Sequence, residues 1–217
     1  PACDERTLVL TLQNGLGNWE RIAGHLPAER VLAGTSSTGA TLLAEGAVRL
    51  AGLGQARLGS PVGRLDRAQE AADLLNSGKV PAEVIVDLES ALWTKAVINA
   101  AINPLTALTG RPNGDMIADP GLRRALELVT EEAATVARAC GAAVPDDIVA
   151  RVEQVCRQTA ANRSSMLQDV SAGRRTEIDF INGEIARRAA RAGVPAPLCE
   201  VLTAVLAGLS RENNRGS

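Results

Sequence analysis

The chain has 217 residues, enough for one large domain or two small ones. With 46% hydrophobic and 22% charged residues it reads as a globular protein, and a formal net charge of −2 excludes any general electrostatic pull toward nucleic acid. Trp19, Trp93 and Phe180 are the only aromatic residues, which leaves no stacking platform for single-stranded nucleic acid.

Residues 7–12 (Thr-Leu-Val-Leu-Thr-Leu) read as a short buried strand closed by Asn14-Gly15. A helix is expected from Leu16 to about Leu26, then a strand over Val31–Ser37. Ala40–Leu50 and Gln55–Leu58 suggest antiparallel strands joined through Glu45-Gly46 and Gly52/Gly54. Arg67–Leu75 predicts a helix and Val84–Asp87 a last short strand. From Leu88 to Leu209 the pattern is helical, with breaks expected at Pro104, Pro112, Pro120, Gly141/Pro145, Gly173, Gly193/Pro195 and Pro197. Strands first and helices afterwards predict two units with a boundary near residues 87–90. The first has too few strands to bury both faces of a sheet, so it reads as the second half of something larger.

The helix predicted from Leu88 is apolar nearly all round between Leu92 and Ile102, yet Lys95, Asn99 and Asn103 recur at i, i+4 and i+8 and so share one face. Buried amides need hydrogen bonds and a buried ammonium needs a partner, so the stripe suggests a polar cleft cut into an apolar domain. The plainer alternative is that Lys95 snorkels to solvent while the asparagines bridge neighbouring helices. Of the 23 basic residues only Lys79 and Lys95 are lysines, so an Arg-rich composition has kept a Lys on the most apolar helix. Lys, unlike Arg, can release its proton near neutral pH when its surroundings are tuned, as a general acid requires.

Elsewhere local chemistry has local explanations. Asn14-Gly15 and Pro112-Asn113-Gly114-Asp115 are turn sequences. Ser164 fits a helix cap before Met166–Val170, Thr176-x-x-Asp179 fits a capping box, and Asp146 and Asp147 fit a helix's first turn. Arg174-Arg175 and Arg187-Arg188 fit solvated faces, and His25 a surface position. Cys3, Cys140, Cys156 and Cys199 form no C-x-x-C pair and have only His25 as an imidazole partner, so neither a zinc site nor a disulfide framework is expected. That usage fits a reducing cytoplasm. No apolar run reaches transmembrane length and no signal peptide opens the chain, so no membrane partner is expected.

Five segments together resemble the ketopantoate reductase (2-dehydropantoate 2-reductase) family, in its order and spacing. They are Gln13-Asn14-Gly15-Leu16-Gly17; Leu92-Trp93-Thr94-Lys95 with Asn99 and Ile102-Asn103-Pro104-Leu105-Thr106-Ala107; Arg111-Pro112-Asn113-Gly114; Ser164-Ser165-Met166-Leu167-Gln168-Asp169; and Arg175-Thr176-Glu177-Ile178-Asp179-Phe180-Ile181-Asn182-Gly183. The resemblance implies NADPH-dependent reduction of a small 2-oxo acid, ketopantoate, to its 2-hydroxy acid in pantothenate biosynthesis. It puts the proton donor on Lys95, which also binds substrate, and substrate-contacting amides on Asn99, Asn103 and Asn113. It puts the substrate-contacting hydroxyl on Ser165, with Asn162 nearby. Glu177 would lie by the Lys and the nicotinamide end of the cofactor, Asn14 between cofactor and substrate, and Ala40, in a turn after Gly34, against the cofactor. The physics agrees: hydride addition to a ketone develops alkoxide charge, which an ammonium neutralises by giving a proton. A nearby carboxylate keeps that ammonium charged.

The implied fold class is an α/β Rossmann-type remnant, the second half of a nucleotide-binding domain, followed by an all-α C-terminal domain. The expected domains are a partial NADP-binding domain over 1–87, a helical substrate-binding and dimerisation domain over 88–211, and a polar tail over 212–217. The chain departs from the family in lacking a G-x-G-x-x-G: Gly15-x-Gly17 has no third glycine and follows the wrong strand. It also opens on Pro1-Ala2-Cys3 without Met. Both features predict a chain that starts inside a longer protein and is inactive alone. The alternatives are a reductase of another branched 2-oxo acid and a non-catalytic oligomerisation or interaction module; a homodimer is the expected protein partner.

Overall fold

In the computed structural model, which describes residues 4–213, the first unit is built on a four-stranded sheet in the order β1-β2-β5-β6. Its strands are β1 (Val9–Thr11), β2 (Val31–Ser36), β5 (Ala56–Gly59) and β6 (Ala82–Val84). β1 runs parallel to β2, β2 antiparallel to β5, and β5 parallel to β6. Val31, Leu32, Ala33 and Leu58 are buried, as β-rich apolar runs in a central strand pair should be. Helix α2 (Leu65–Ser77) buries Ala68 and Ala72, and Ala72 shares a core with Ala56 and Leu58 of that sheet. Helix α1 (Asn18–Ala23) is shorter than the sequence suggests, starting only after Gly15 and Gly17 and stopping at Gly24.

Two strand expectations are corrected. β3 (Gly39–Ala44) and β4 (Ala47–Gly52) do form an antiparallel hairpin through Glu45-Gly46, but as a separate two-stranded sheet. The Gln55–Leu58 segment does not extend that hairpin; it crosses to pair with β2. Gly54 permits the crossing, because a Cβ there would lie 2.3 Å from the Ser37 carbonyl carbon. The last strand sits two residues earlier than expected, since Asp87 is taken as a helix cap, accepting from the Ser90 N–H at 3.0 Å. Pro1–Cys3 and residues 214–217 of the expected tail lie outside the described residues, while Glu212 and Asn213 belong to the last helix.

This unit comprises residues 4–13 and 17–92; the second comprises residues 14–16 and 93–213 and, among the described residues, is helical. The α/β-then-all-α class expected from the sequence is the one observed. The second unit's elements are α3 (Leu88–Thr109) from Trp93 onward, α4 (Asp115–Ala118), α5 (Pro120–Ala139), α6 (Ile148–Gln158), α7 (Ser165–Ser171), a 3-10 turn at Ile178–Phe180, α8 (Asn182–Ala192) and α9 (Pro197–Asn213). The apolar length of α3 is consumed by burial: Trp93, Val97, Ala100 and Ala101 are fully enclosed, and Ala101, Ile102 and Leu105 share a core with Met116, Leu126, Val129, Val152 and Cys156. Pro120 occupies the first turn of α5, where it needs no N–H, and Asp119 caps that turn through the Gly121 and Leu122 N–H groups.

The expected break at Pro104 does not occur: α3 runs through it. Proline has no N–H for the carbonyl four residues back, Ala100. That carbonyl instead accepts from the side-chain amide of Asn182, Nδ2 to O at 3.1 Å. The capping box at Thr176 is also absent. The Thr176 hydroxyl oxygen is buried with no partner among the described residues, and the 3-10 turn after Glu177 starts without a side-chain cap.

Candidate active site

The candidate site is assembled within the second unit around three turns of α3. Lys95 and Asn99 are half-buried, and Asn103 is buried. Burial pushes the Lys95 ammonium below its ordinary value, and the negative charge of Glu177 acts in the opposite direction. Glu177 is tied to α3 by a side-chain relay. Asn99 Nδ2 donates to Asn14 Oδ1 at 3.5 Å, and Asn14 Nδ2 donates to Glu177 Oε2 at 3.0 Å. Four of the residues singled out in the sequence, Asn14, Lys95, Asn99 and Glu177, are thus brought together.

The clasp that holds Asn14 is a backbone feature. Gly15 has φ +87°, and a Cβ on it would fall 2.2 Å from the Phe180 carbonyl oxygen. The Leu16 N–H donates to that same oxygen at 2.9 Å. Residues 14–16 therefore lie flat against the turn that carries Glu177, and only glycine fits the approach. The Asn14-Gly15 dipeptide forms a bend rather than the hydrogen-bonded turn its composition suggests, because the Leu16 N–H is given to Phe180 instead.

A second group surrounds the far end of the stripe. The Leu167 N–H donates to Ser164 Oγ at 3.0 Å, Ser164 and Thr106 hydroxyls meet at 2.7 Å, and the Thr106 hydroxyl reaches the Asn103 carbonyl at 2.9 Å. Since Thr106 gives its proton to α3, Ser164 donates to Thr106, and the chain of bonds fixes the start of α7 against α3. Ser164 is the cap expected of it; Ser165, the next residue, stands exposed. Asn113 is buried and donates to Thr159 Oγ1 at 2.9 Å, while its Oδ1 has no partner among the described residues. Its backbone N–H donates to the Asn162 carbonyl at 3.0 Å, which joins these two candidates although the Asn162 side chain is exposed. Ala40 belongs to the first unit, where it is not in a turn but an exposed residue of β3 opposite Leu50.

Several supporting side chains have roles that no local pattern marks: Thr106 and Asn182 lie within the family-like segments but look like ordinary helix residues, and Thr159 is an unremarked C-cap of α6, until their partners are known. Pro104 was the available signal for Asn182, because an unbroken helix through a proline requires a donor from elsewhere. Among the described residues no group of His, Cys, Asp and Glu could hold a metal ion, and no helix is long and apolar enough to cross a membrane.

The family described as Ketopantoate reductase PanE/ApbA matches residues 1–63, and its C-terminal part, Ketopantoate reductase PanE/ApbA C terminal, matches residues 87–210. The chain belongs to the ketopantoate reductase family. It is 38% identical over 201 residues to the 2-dehydropantoate 2-reductase of Halobacterium salinarum, covering 92% of this chain and 66% of that protein. The corresponding protein of Archaeoglobus fulgidus is 37% identical over 203 residues, covering 93% and 68%. A solved ternary structure of D-mandelate dehydrogenase with NADH and anilino(oxo)acetate superposes with TM-score 0.91 at 27% identity, covering 97% of this chain and 70% of that one. The chain thus spans about two thirds of the length of the relatives it matches.

Proposed function

We propose that the second unit is the 2-oxo acid-binding and proton-donating part of a ketopantoate reductase, reducing ketopantoate to pantoate with NADPH. The observation that carries this reading is the Asn99–Asn14–Glu177 relay set beside a desolvated lysine. Lys95 gives its proton to the carbonyl oxygen of the substrate as charge develops there. Glu177 favours the charged form of that ammonium and offsets part of the effect of burial. Asn99 and Asn103 present amides on the same helix face to orient a small polar acid, with Asn113, Asn162 and Ser165 completing the contacts. These side chains supply an ammonium, a carboxylate and amides but no hydride, so the reduction needs an external hydride donor, and the NADH in the solved D-mandelate dehydrogenase structure supports a nicotinamide in that role. Asn14 and Glu177 would hold the reacting end of a nicotinamide, which when bound would supply the hydride for C2 of the acid. The names of the relatives support this choice of substrate.

A second reading, a reductase for another branched or aryl 2-oxo acid, is favoured by the TM-score of 0.91 to D-mandelate dehydrogenase. The decisive experiment is steady-state reduction by the complete protein of ketopantoate and phenylglyoxylate, each with NADPH and NADH. A kcat/KM highest for ketopantoate with NADPH is the expected result. Preference for phenylglyoxylate selects the second reading, and turnover of neither acid rejects both.

A further inference from the structure

Helix α3 carries Lys95, Asn99 and Asn103 and also an internal proline one residue beyond the last of them. The ring of Pro104 leaves the Ala100 carbonyl without its backbone donor in the middle of this stripe, between Asn99 and Asn103. A carbonyl left so in a buried helix is a weak point, where the ladder can bend or open. Here it receives a substitute donor: Asn182, fully buried at the first residue of α8, gives its Nδ2 to Ala100 O at 3.1 Å. The same nitrogen lies 3.8 Å from Cys199 Sγ, while Asn182 Oδ1 has no partner among the described residues. The amide is held for its donor side. The orientation follows from the chemistry, since a flipped amide would set oxygen against oxygen.

Asn182 lies five residues after Glu177, at the end of the short segment whose Phe180 carbonyl receives the Asn14–Leu16 loop. Its bond to Ala100 therefore fastens the Glu177 segment to α3 at the level of the amide stripe. We propose that Asn182 is a positioning residue for this site, replacing the N–H that Pro104 lacks and thereby fixing the register of Lys95, Asn99 and Asn103 against Glu177. The inference rests on the reductase reading for its catalytic consequence, but the pairing with Pro104 stands apart from it.

The test is a double-mutant cycle with Asn182→Ala, Pro104→Ala and the combined variant, read both as melting temperature and as kcat/KM for the 2-oxo acid in the complete protein. Pro104→Ala returns a backbone N–H to the Ala100 carbonyl. Asn182→Ala alone is expected to lower kcat/KM about tenfold, an effect of one lost buried bond. In the Pro104→Ala background the same change is expected to cost no more than about threefold, with the melting temperature recovering in parallel. Equal losses in both backgrounds overturn the pairing. Coupling in melting temperature without coupling in kcat/KM overturns the positioning role and leaves Asn182 a residue of the fold alone. If Asn182→Ala does not fold, the combined variant must fold, and its failure also overturns the proposal. A wild-type protein that reduces no 2-oxo acid rejects the reductase reading and with it the catalytic role, while the melting cycle still decides the pairing.

Discussion

In the proposed reaction Lys95 concentrates the chemistry of the site in one proton. Its ammonium is held below the ordinary lysine value by burial and supported by Glu177. Between that lowered value and the unfolded value of 10.5, the unfolded chain binds the proton and the native one does not, so this group's contribution to stability rises with pH through the window. Below the window the charge is present in both states, and its desolvation works against folding. Lys95→Met in the complete protein is therefore expected to melt at or above the wild-type temperature at pH 7, and calorimetric scans toward alkaline pH should lack the wild-type gain. Lys95→Ala should abolish turnover with the fold retained; a variant keeping most of its kcat would exclude Lys95 as the donor. The wild-type rate should fall as pH rises through the lowered lysine value, since only the charged form can donate. Asn103 is a separate case. Buried on the same face, it should lose about 1–3 kcal/mol of substrate recognition on replacement by Ala, and exposed Ser165 less, about 0.5–1.5 kcal/mol. Unchanged kcat/KM in both variants would remove these two from the site.

At the scale of elements the site depends on how three pieces of chain meet on α3: the 14–16 loop, the 177–182 segment and the start of α7. Gly15 tests the first of these contacts. A methyl group there would meet the Phe180 carbonyl oxygen at 2.2 Å in a left-handed backbone, whereas one at Gly193, also left-handed at φ +69°, would meet open space. Gly193→Ala should cost about 1–2 kcal/mol for the conformation alone. Gly15→Ala should cost more and should also raise KM, because Asn14 is displaced from Glu177. Equal melting temperatures for the two variants, with KM unchanged, would show that the clasp is not needed. The same contacts mark how far the sequence could be read. The Lys95–Asn99–Asn103 stripe is legible because helical spacing is a local property, and Ser164 is legible as a cap for the same reason. The bond from Asn14 to Glu177 spans 163 residues, and no periodicity reports it; a resemblance to the family was the only route to pairing them. Pro104 misled because local propensity treats proline as a stop, while its replacement donor arrives from 82 residues' distance along the chain, at Asn182. The strand at Gln55–Leu58 pairs with β2 rather than with the hairpin for a similar reason: Gly54 signals a bend but not where the bend leads.

The two units differ in what each can do unaided. The helical unit has its own core, with Trp93, Met116, Leu126, Val152 and Met166 all fully enclosed, so it should fold and give a strongly helical circular dichroism spectrum. Tight dinucleotide binding depends on another device, a Gly-rich turn running from a strand into a helix whose backbone N–H groups hold the pyrophosphate. The 217 residues contain no G-x-G-x-x-G, and the Gly15-x-Gly17 pair is spent on the Phe180 contact and the entry to α1. Asn14 and Glu177 are proposed to reach the nicotinamide end alone, which carries none of the phosphate charge. Without the phosphate anchor, affinity should fall by several kcal/mol, on the order of a thousandfold. The isolated 217-residue chain is accordingly expected to show no ketopantoate-dependent oxidation of NADPH and no NADPH-induced rise in melting temperature. Fusing a Gly-rich strand–turn–helix from a relative to this chain should confer both. Calorimetric titration of the isolated chain decides the matter, since micromolar NADPH binding there would place the phosphate site within these residues and reject the prediction.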